Sequence, residues 1–279
     1  MAGRFQGSSV FITGASSGIG EALARAFALE GARLALAARR LERLESVRQE
    51  LMPAAAEVLA VPCDVTSRPS LDAAVAQTAE AFGGIDVAVA NAGFGVTGFF
   101  QDLSTADFRR QFETNVFGLL DTVYAVLPHV RASKGRLALI SSVSGRVGSP
   151  ASSPYVASKF AVTGLAESIY YDLRADGVSV TCIEPGFVES KIRMTDNAGR
   201  FHEDWNDPVP PWLVVPRDRA ARAIVSAIYK RKPEAVITGH GKLAVWSARH
   251  FPRTVRFIQR QAVQRMPGNL LAGPTRKKP

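Results

Sequence analysis

The stretch SSVFITGASSGIG, residues 8–20, joins a run of β-branched and aromatic residues to three glycines within seven positions. Val10, Phe11, Ile12 and Thr13 follow one another without polar alternation, which favours a strand buried on both faces. The glycines then change the structure: Gly14 permits a tight turn, Gly18 lets a ligand approach the backbone, and Gly20 lets a helix lie close on a sheet. A helix that begins there offers unpaired N–H groups and the positive end of its dipole to an anion. Gly14, Ser16, Ser17, Gly18, Ile19 and Gly20 therefore read as the phosphate end of a dinucleotide site, although the spacing is GxxxGxG and not the commoner GxGxxG.

Outward from this stretch, similar apolar runs recur at 32–40, 57–65, 85–93, 135–145, 178–186 and 234–239. Segments of helical period separate them, for example at 20–31 and 70–82. Alternation of strand and helix predicts an α/β fold, a Rossmann-type doubly wound parallel sheet with right-handed crossovers. One catalytic domain is expected over residues 1–240. Residues 190–216 break the rhythm with four prolines and two tryptophans, and an irregular segment of that length reads as a substrate lid. A basic C-terminal extension, 241–279, follows.

Net charge is +9, but its distribution says more than its total: residues 217–279 hold 15 Lys/Arg against 2 Asp/Glu, leaving the rest of the chain at −4. The basicity therefore concerns the surroundings of the tail and not the whole fold. Cys63 and Cys182 lie in strand-like runs, which argues against a disulfide framework and for a reducing cytoplasm. No signal for secretion and no spanning run of about 18 apolar residues is present. His129, His240 and His250 show no ligand spacing, His202 reads as solvated, and no metal is implied.

The second strand discriminates between cofactors. An acid at its end would hold a ribose 2′-hydroxyl, whereas a 2′-phosphate needs positive charge there. The strand ends LALAARR, with Ala38 at the acid's position and Arg39 and Arg40 after it, which favours NADP.

The stretch SPYVASKFAV, residues 153–162, places a phenol and an ammonium four apart among small and apolar residues. Ser153 reads as a helix cap and Pro154 as the first helical residue. Tyr155 and Lys159 then share one face, and the ammonium is expected to draw the phenol below its ordinary pKa of about 10. Such a tyrosine can exchange a proton beside a hydride donor.

Taken together, TGASSGIG at 13–20, NAG at 91–93, FETNVFG at 112–118, ISSVSG at 140–145, YVASK at 155–159 and PGFVES at 185–190 resemble the motifs of the classical short-chain dehydrogenases/reductases in order and spacing, over residues 7–190. The resemblance implies roles residue by residue. Tyr155 is expected to be the general acid/base, Lys159 its electrostatic partner and a ribose contact, Ser142 the hydroxyl that orients substrate, and Asn115 the holder of a relay water. Asp64 and Val65 would contact adenine, and Asn91, in Asn91-Ala92-Gly93, would stabilise the sheet beside the adenosine ribose. Pro185, Gly186, Val188 and Ser190 would form the nicotinamide-facing turn, with the Val188 backbone bonding the carboxamide and Ser190 replacing the family's usual threonine.

The implied activity is NADP(H)-dependent interconversion of a carbonyl and an alcohol. The tail departs from the acyl-carrier ketoreductases of the family and points to a lipophilic ketone, aldehyde or alcohol. The aromatic side chains of the lid, Phe201, Trp205 and Trp212, would meet such a substrate. Two alternatives stand beside this reading, a 3-oxoacyl thioester reductase and a non-catalytic NADPH sensor. From Pro252 the extension has helical spacing with arginines at 253, 256, 260 and 265, so it either lies on an anionic membrane surface or packs on protein. Nucleic acid is not expected, because no recognition motif accompanies the charge. A homodimer or homotetramer is implied by the family, through the helices that carry Asn115 and Tyr155.

Overall fold

Seven apolar runs become seven strands: β1 (Ser9–Thr13), β2 (Arg33–Ala38), β3 (Glu57–Pro62), β4 (Val87–Ala90), β5 (Arg136–Ile140), β6 (Ser179–Glu184) and β7 (Glu234–Val236). In the computed structural model, which describes residues 3–55, 57–197, 200, 202, 203, 207 and 209–265, they form one sheet of order β3-β2-β1-β4-β5-β6-β7. Every pairing is parallel, as buried strands linked by helices require. The expected Rossmann-type α/β architecture is the one observed.

The helices are α1 (Gly18–Ala28), α2 (Leu41–Leu51), α3 (Arg68–Phe82), α4 (Thr105–Phe112), α5 (Gly118–Ala132), α6 (Ser153–Arg174), α7 (Arg217–Tyr229), α8 (Gly239–His250) and α9 (Pro252–Arg265). One layer of the core packs α1, α2 and α7 on the sheet around Leu23, Phe27, Leu34, Leu36 and Ile224. The opposite layer packs α3, α5 and α6 around Phe11, Leu71, Val126, Leu137 and Val162. Because β2 and β4 leave β1 in opposite directions along the sheet, a crevice opens at the C-terminal ends of β1 and β4. Both cysteines are free and buried, as their positions predict, and burial pushes their thiols up, Cys63 to about 11 and Cys182 to about 12.

The segment after β6 is irregular. Two short 3-10 turns, Lys191–Met194 and Pro211–Leu213, interrupt it, and a parallel bridge between Val188 and Val215 pinches it at its base. Among the described residues no helix is long and apolar enough to cross a membrane.

Candidate active site

The crevice is floored by glycines whose backbones leave no room for a side chain. Gly14 has φ +68°, and a Cβ there would stand 2.9 Å from the Asn91 amide nitrogen. A Cβ on Gly20 would stand 2.3 Å from the Gly14 carbonyl oxygen, so this glycine sets how closely α1 approaches the turn. Asn91 ties the floor together, its Nδ2 donating to the Thr13 oxygen at 2.9 Å and to the Gly14 oxygen at 3.4 Å. The Ala92 N–H donates to Thr13 Oγ1 at 3.1 Å. No side chain caps the N-terminus of α1 at Ser17.

Above this floor Arg40, at the start of α2, reaches back across the crevice. Its Nη2 donates to Ser16 Oγ at 3.2 Å and to Ser17 Oγ at 3.4 Å. Arg39 and Arg40 are exposed, and Ala38 ends β2 without a carboxylate. Asp64 turns its carboxylate to its own loop, accepting from the Thr66 N–H at 3.0 Å and Oγ1 at 2.8 Å, while Val65 is buried against Gly118.

The second half of the crevice belongs to α6. Its cap is Ser152, not Ser153, and Pro154 sits within the first turn. Neither serine caps by side chain: Ser152 Oγ lies 2.7 Å from Ser149 Oγ, and the buried Ser153 hydroxyl has no partner among the described residues. Tyr155 and Lys159 lie one turn apart as their spacing predicts, with Nζ 5.6 Å from the phenol ring centroid. That ammonium donates to the Ile140 oxygen at the end of β5, at 2.8 Å.

The expected acidification of the phenol is absent in the protein alone. Burial raises the Tyr155 pKa above its usual value, against the lowering effects of the neighbouring Ser142 hydroxyl and of the Arg193 charge. Burial likewise pushes Lys159 down to about 8. The physical reason is common to both: a desolvated pocket disfavours either charged form.

Ser142 caps the short turn Val143–Gly145, its Oγ accepting from the Ser144 N–H at 3.0 Å and donating to the Pro185 oxygen at 3.3 Å. Asn115 sits in a π-helical turn, Glu113–Phe117, between α4 and α5, and is buried. Its Oδ1 accepts the Phe94 N–H at 3.1 Å, and its Nδ2 donates to the Phe94 oxygen at 3.0 Å and to Ser158 Oγ at 3.3 Å. Ser158 donates in turn to the Tyr155 carbonyl at 2.7 Å, so a continuous set of bonds joins Asn115 to the helix that carries the phenol. Gly93 borders Asn115, where a Cβ would lie 3.0 Å from Oδ1.

The turn at 185–190 has a distinctive hydrogen-bond account. The Phe187 N–H donates to His240 Nε2 at 2.9 Å, and its carbonyl accepts from the Val215 N–H at 2.9 Å. The Val188 carbonyl accepts from both terminal nitrogens of Arg193 at 3.3 Å, and the Glu189 N–H donates to the Val215 oxygen at 3.0 Å. Only the Val188 N–H, in a residue 2% exposed, lacks an acceptor among the described residues of this stretch from the Phe187 N–H to the Glu189 N–H.

The irregular segment after β6 meets the crevice through Ser190 and through residues that the sequence did not single out. Ser190 caps its first turn by accepting the Ile192 N–H at 3.1 Å, and Gly18 lies against Ser190. A Cβ on Gly95 would contact Tyr155 Cδ2 at 3.7 Å and Ile192 Cδ1 at 3.8 Å, so Gly95 and Ile192 flank the phenol. Arg193 grips Asp207 with two hydrogen bonds, and Asn197 pairs with both backbone groups of Thr97 at 3.0 and 2.8 Å. Trp212, in the short turn Pro211–Leu213, stands 82% exposed. Phe201 and Trp205 lie outside the described residues.

Comparison with known proteins agrees with this arrangement. The family model described as short chain dehydrogenase matches residues 8–200. An uncharacterized oxidoreductase of Myxococcus xanthus is 42% identical over 191 residues, 68% of this chain and 75% of that protein. A dehydrogenase/reductase SDR family protein 7-like of Anopheles gambiae is 34% identical, covering 90% of this chain and 81% of its own. Among solved structures, an alcohol dehydrogenase from the archaeon Thermococcus sibiricus, complexed with 5-hydroxy-NADP, superposes with a TM-score of 0.71 at 30% identity, covering 82% of this chain and 95% of that one.

Proposed function

This chain belongs to the short-chain dehydrogenase family, and from that premise we propose that it interconverts a carbonyl and an alcohol on a lipophilic substrate, using NADP(H) and Tyr155 as the acid/base. The observation that carries the proposal is the convergence of the Ser142 and Tyr155 hydroxyls beside buried Lys159.

A nicotinamide dinucleotide fits the residues present. Glycine backbones at 14, 18 and 20 make the cradle for its phosphates, and the Val188 N–H, without an acceptor among the described residues, suits an acceptor such as its carboxamide. Asp64, Val65 and Asn91 to Gly93 line the adenosine side, and Arg40, with Arg39 beside it, suits a 2′-phosphate. Once bound, the dinucleotide supplies or accepts the hydride. In the reducing direction the Tyr155 phenol gives its proton to the substrate oxygen, which Ser142 holds by a hydrogen bond. Lys159 favours the phenolate that results, and Asn115 would hold the water through which a proton from solvent reaches the lysine and returns to the phenol.

The test is loss of NADPH absorbance, with NADH in parallel, across aldehydes, long-chain ketones, steroids and 3-oxoacyl thioesters. Turnover that rises with apolarity supports the reading. Tight NADPH binding with no turnover on any substrate would instead favour a sensor.

The extension is a surface for an anionic bilayer. Glu234 is the last acidic residue of the chain, and α8 and α9 carry Lys242, Arg249, Arg253, Arg256 and Arg260. Trp246, Phe251, Phe257 and Ile258 are each more than half exposed among them. Gln259 donates to the Gly148 oxygen at 2.7 Å, which seats α9 on the loop leading to Tyr155 and brings the crevice close to this surface. Flotation with anionic vesicles is expected, and not with neutral ones. At about 1 kcal/mol per basic residue, Arg253→Glu, Arg256→Glu and Arg260→Glu together should weaken binding on the order of a hundredfold. Indifference to vesicle charge would remove this assignment.

A homodimer or homotetramer forms through α5 and α6, whose outer faces expose Phe117 at the entrance to α5, Tyr124, Phe160 and Tyr171. Light scattering should give a mass at least twice the 29.9 kDa of one chain, and a monomer would contradict it. Free buried thiols accord with a reducing, cytoplasmic setting.

A further inference from the structure

His240 lies 53 residues beyond Phe187 in the chain and shows no spacing that would mark it for chemistry, yet the fold brings its imidazole onto the turn at 185–190. Two donors converge on Nε2, the Phe187 N–H at 2.9 Å and the Thr238 hydroxyl at 3.1 Å. Thr238 Oγ1 itself accepts the Gly241 N–H at 3.2 Å as the cap of α8, which leaves its own proton directed to the imidazole. A ring nitrogen that accepts in this way carries no proton, so the imidazole is the neutral Nδ1–H tautomer.

The ring also stacks on the Phe187 side chain, with centroids 5.4 Å apart and planes inclined by 23°. Gly186 is what allows the approach: a Cβ there would stand 2.3 Å from Thr238 Oγ1 and 2.5 Å from His240 Nε2. Phe187 is thus held on both sides, its N–H by His240 and its carbonyl by Val215. The Val188 N–H, which has no acceptor among the described residues, belongs to the same planar peptide unit as that carbonyl, so fixing Phe187 fixes the direction of this donor.

We propose that His240 is a positioning residue for the nicotinamide half of the cofactor, aiming the Val188 N–H by holding the backbone of Phe187. This rests on the dinucleotide reading given above. It assigns a function to the start of α8, which otherwise only leads into the basic extension.

The experiment compares wild type, His240→Leu and His240→Gln by calorimetric titration with NADP and with 2′-phosphoadenosine-5′-diphosphoribose, the same molecule without nicotinamide. Leucine removes the acceptor, whereas the glutamine amide oxygen can take the place of Nε2. Loss of the bond from the Phe187 N–H should weaken NADP binding by the leucine variant about tenfold, with the fragment unchanged and glutamine restoring most of the affinity. Equal NADP affinity in wild type and His240→Leu overturns the proposal. So does parallel loss of both ligands, because the effect would not be confined to nicotinamide. A wild-type protein that binds neither ligand overturns the dinucleotide reading and this proposal with it.

Discussion

Tyr155→Phe is expected to lower kcat by about 10²- to 10⁴-fold, the range for removal of a general acid/base, while cofactor affinity stays within about threefold. The phenol hydroxyl is the only group removed, and it lies beside Ser142, so the glycine cradle and the turn at 185–190 keep their contacts. Ser142→Ala should lower kcat by a smaller factor, and the double variant should be little worse than Tyr155→Phe alone, since groups acting as a unit are not additive. Near-wild-type turnover in Tyr155→Phe would sink the acid/base assignment. Stopped-flow traces with a saturating ketone would separate the chemical step from product release.

The second large effect concerns cofactor choice. Arg40→Ala alone should weaken NADPH binding by about ten- to a hundredfold and leave NADH unaffected, because a hydrogen bond to a charged group contributes roughly 1.5–3 kcal/mol. Adding Ala38→Asp supplies the carboxylate that β2 lacks at its end and repels a 2′-phosphate. The double variant should shift the NADPH/NADH preference by about 10²- to 10⁴-fold in kcat/KM, each 1.4 kcal/mol being about a tenfold change. The two sites are close, so the increments need not add. An unchanged preference ratio in Arg40→Ala would mean that the arginine serves only the Ser16 and Ser17 hydroxyls it bonds.

The strands were legible because a parallel sheet covered on both faces demands near-continuous apolar runs, as in Leu34–Ala38 and Val87–Ala90. Tyr155 and Lys159 were legible for a local reason too, since four residues of helix fix their relation. What stayed hidden is long-range or environmental. The imidazole on Phe187 depends on how β7 delivers α8 to the turn, which no spacing encodes. Arg193 acts on the phenol only once the segment after β6 is folded, and its partner Asp207 is 14 residues away in irregular chain. The helix cap moved by one residue, to Ser152, within a run of serines and a proline whose side chains offer no distinguishing pattern. The phenol's pKa went the other way because sequence shows the neighbouring ammonium but not the depth at which both groups are buried.

The two thiols have a practical consequence. With both cysteines buried and protonated at neutral pH, the wild-type surface offers maleimides and spin labels almost nothing to react with. A single cysteine introduced at exposed Trp212 would then be the sole fast-reacting site, with no background substitutions needed first. The chain thus provides its own silent background for following one segment through the spectrum of a single attached label while the rest of the molecule stays untouched.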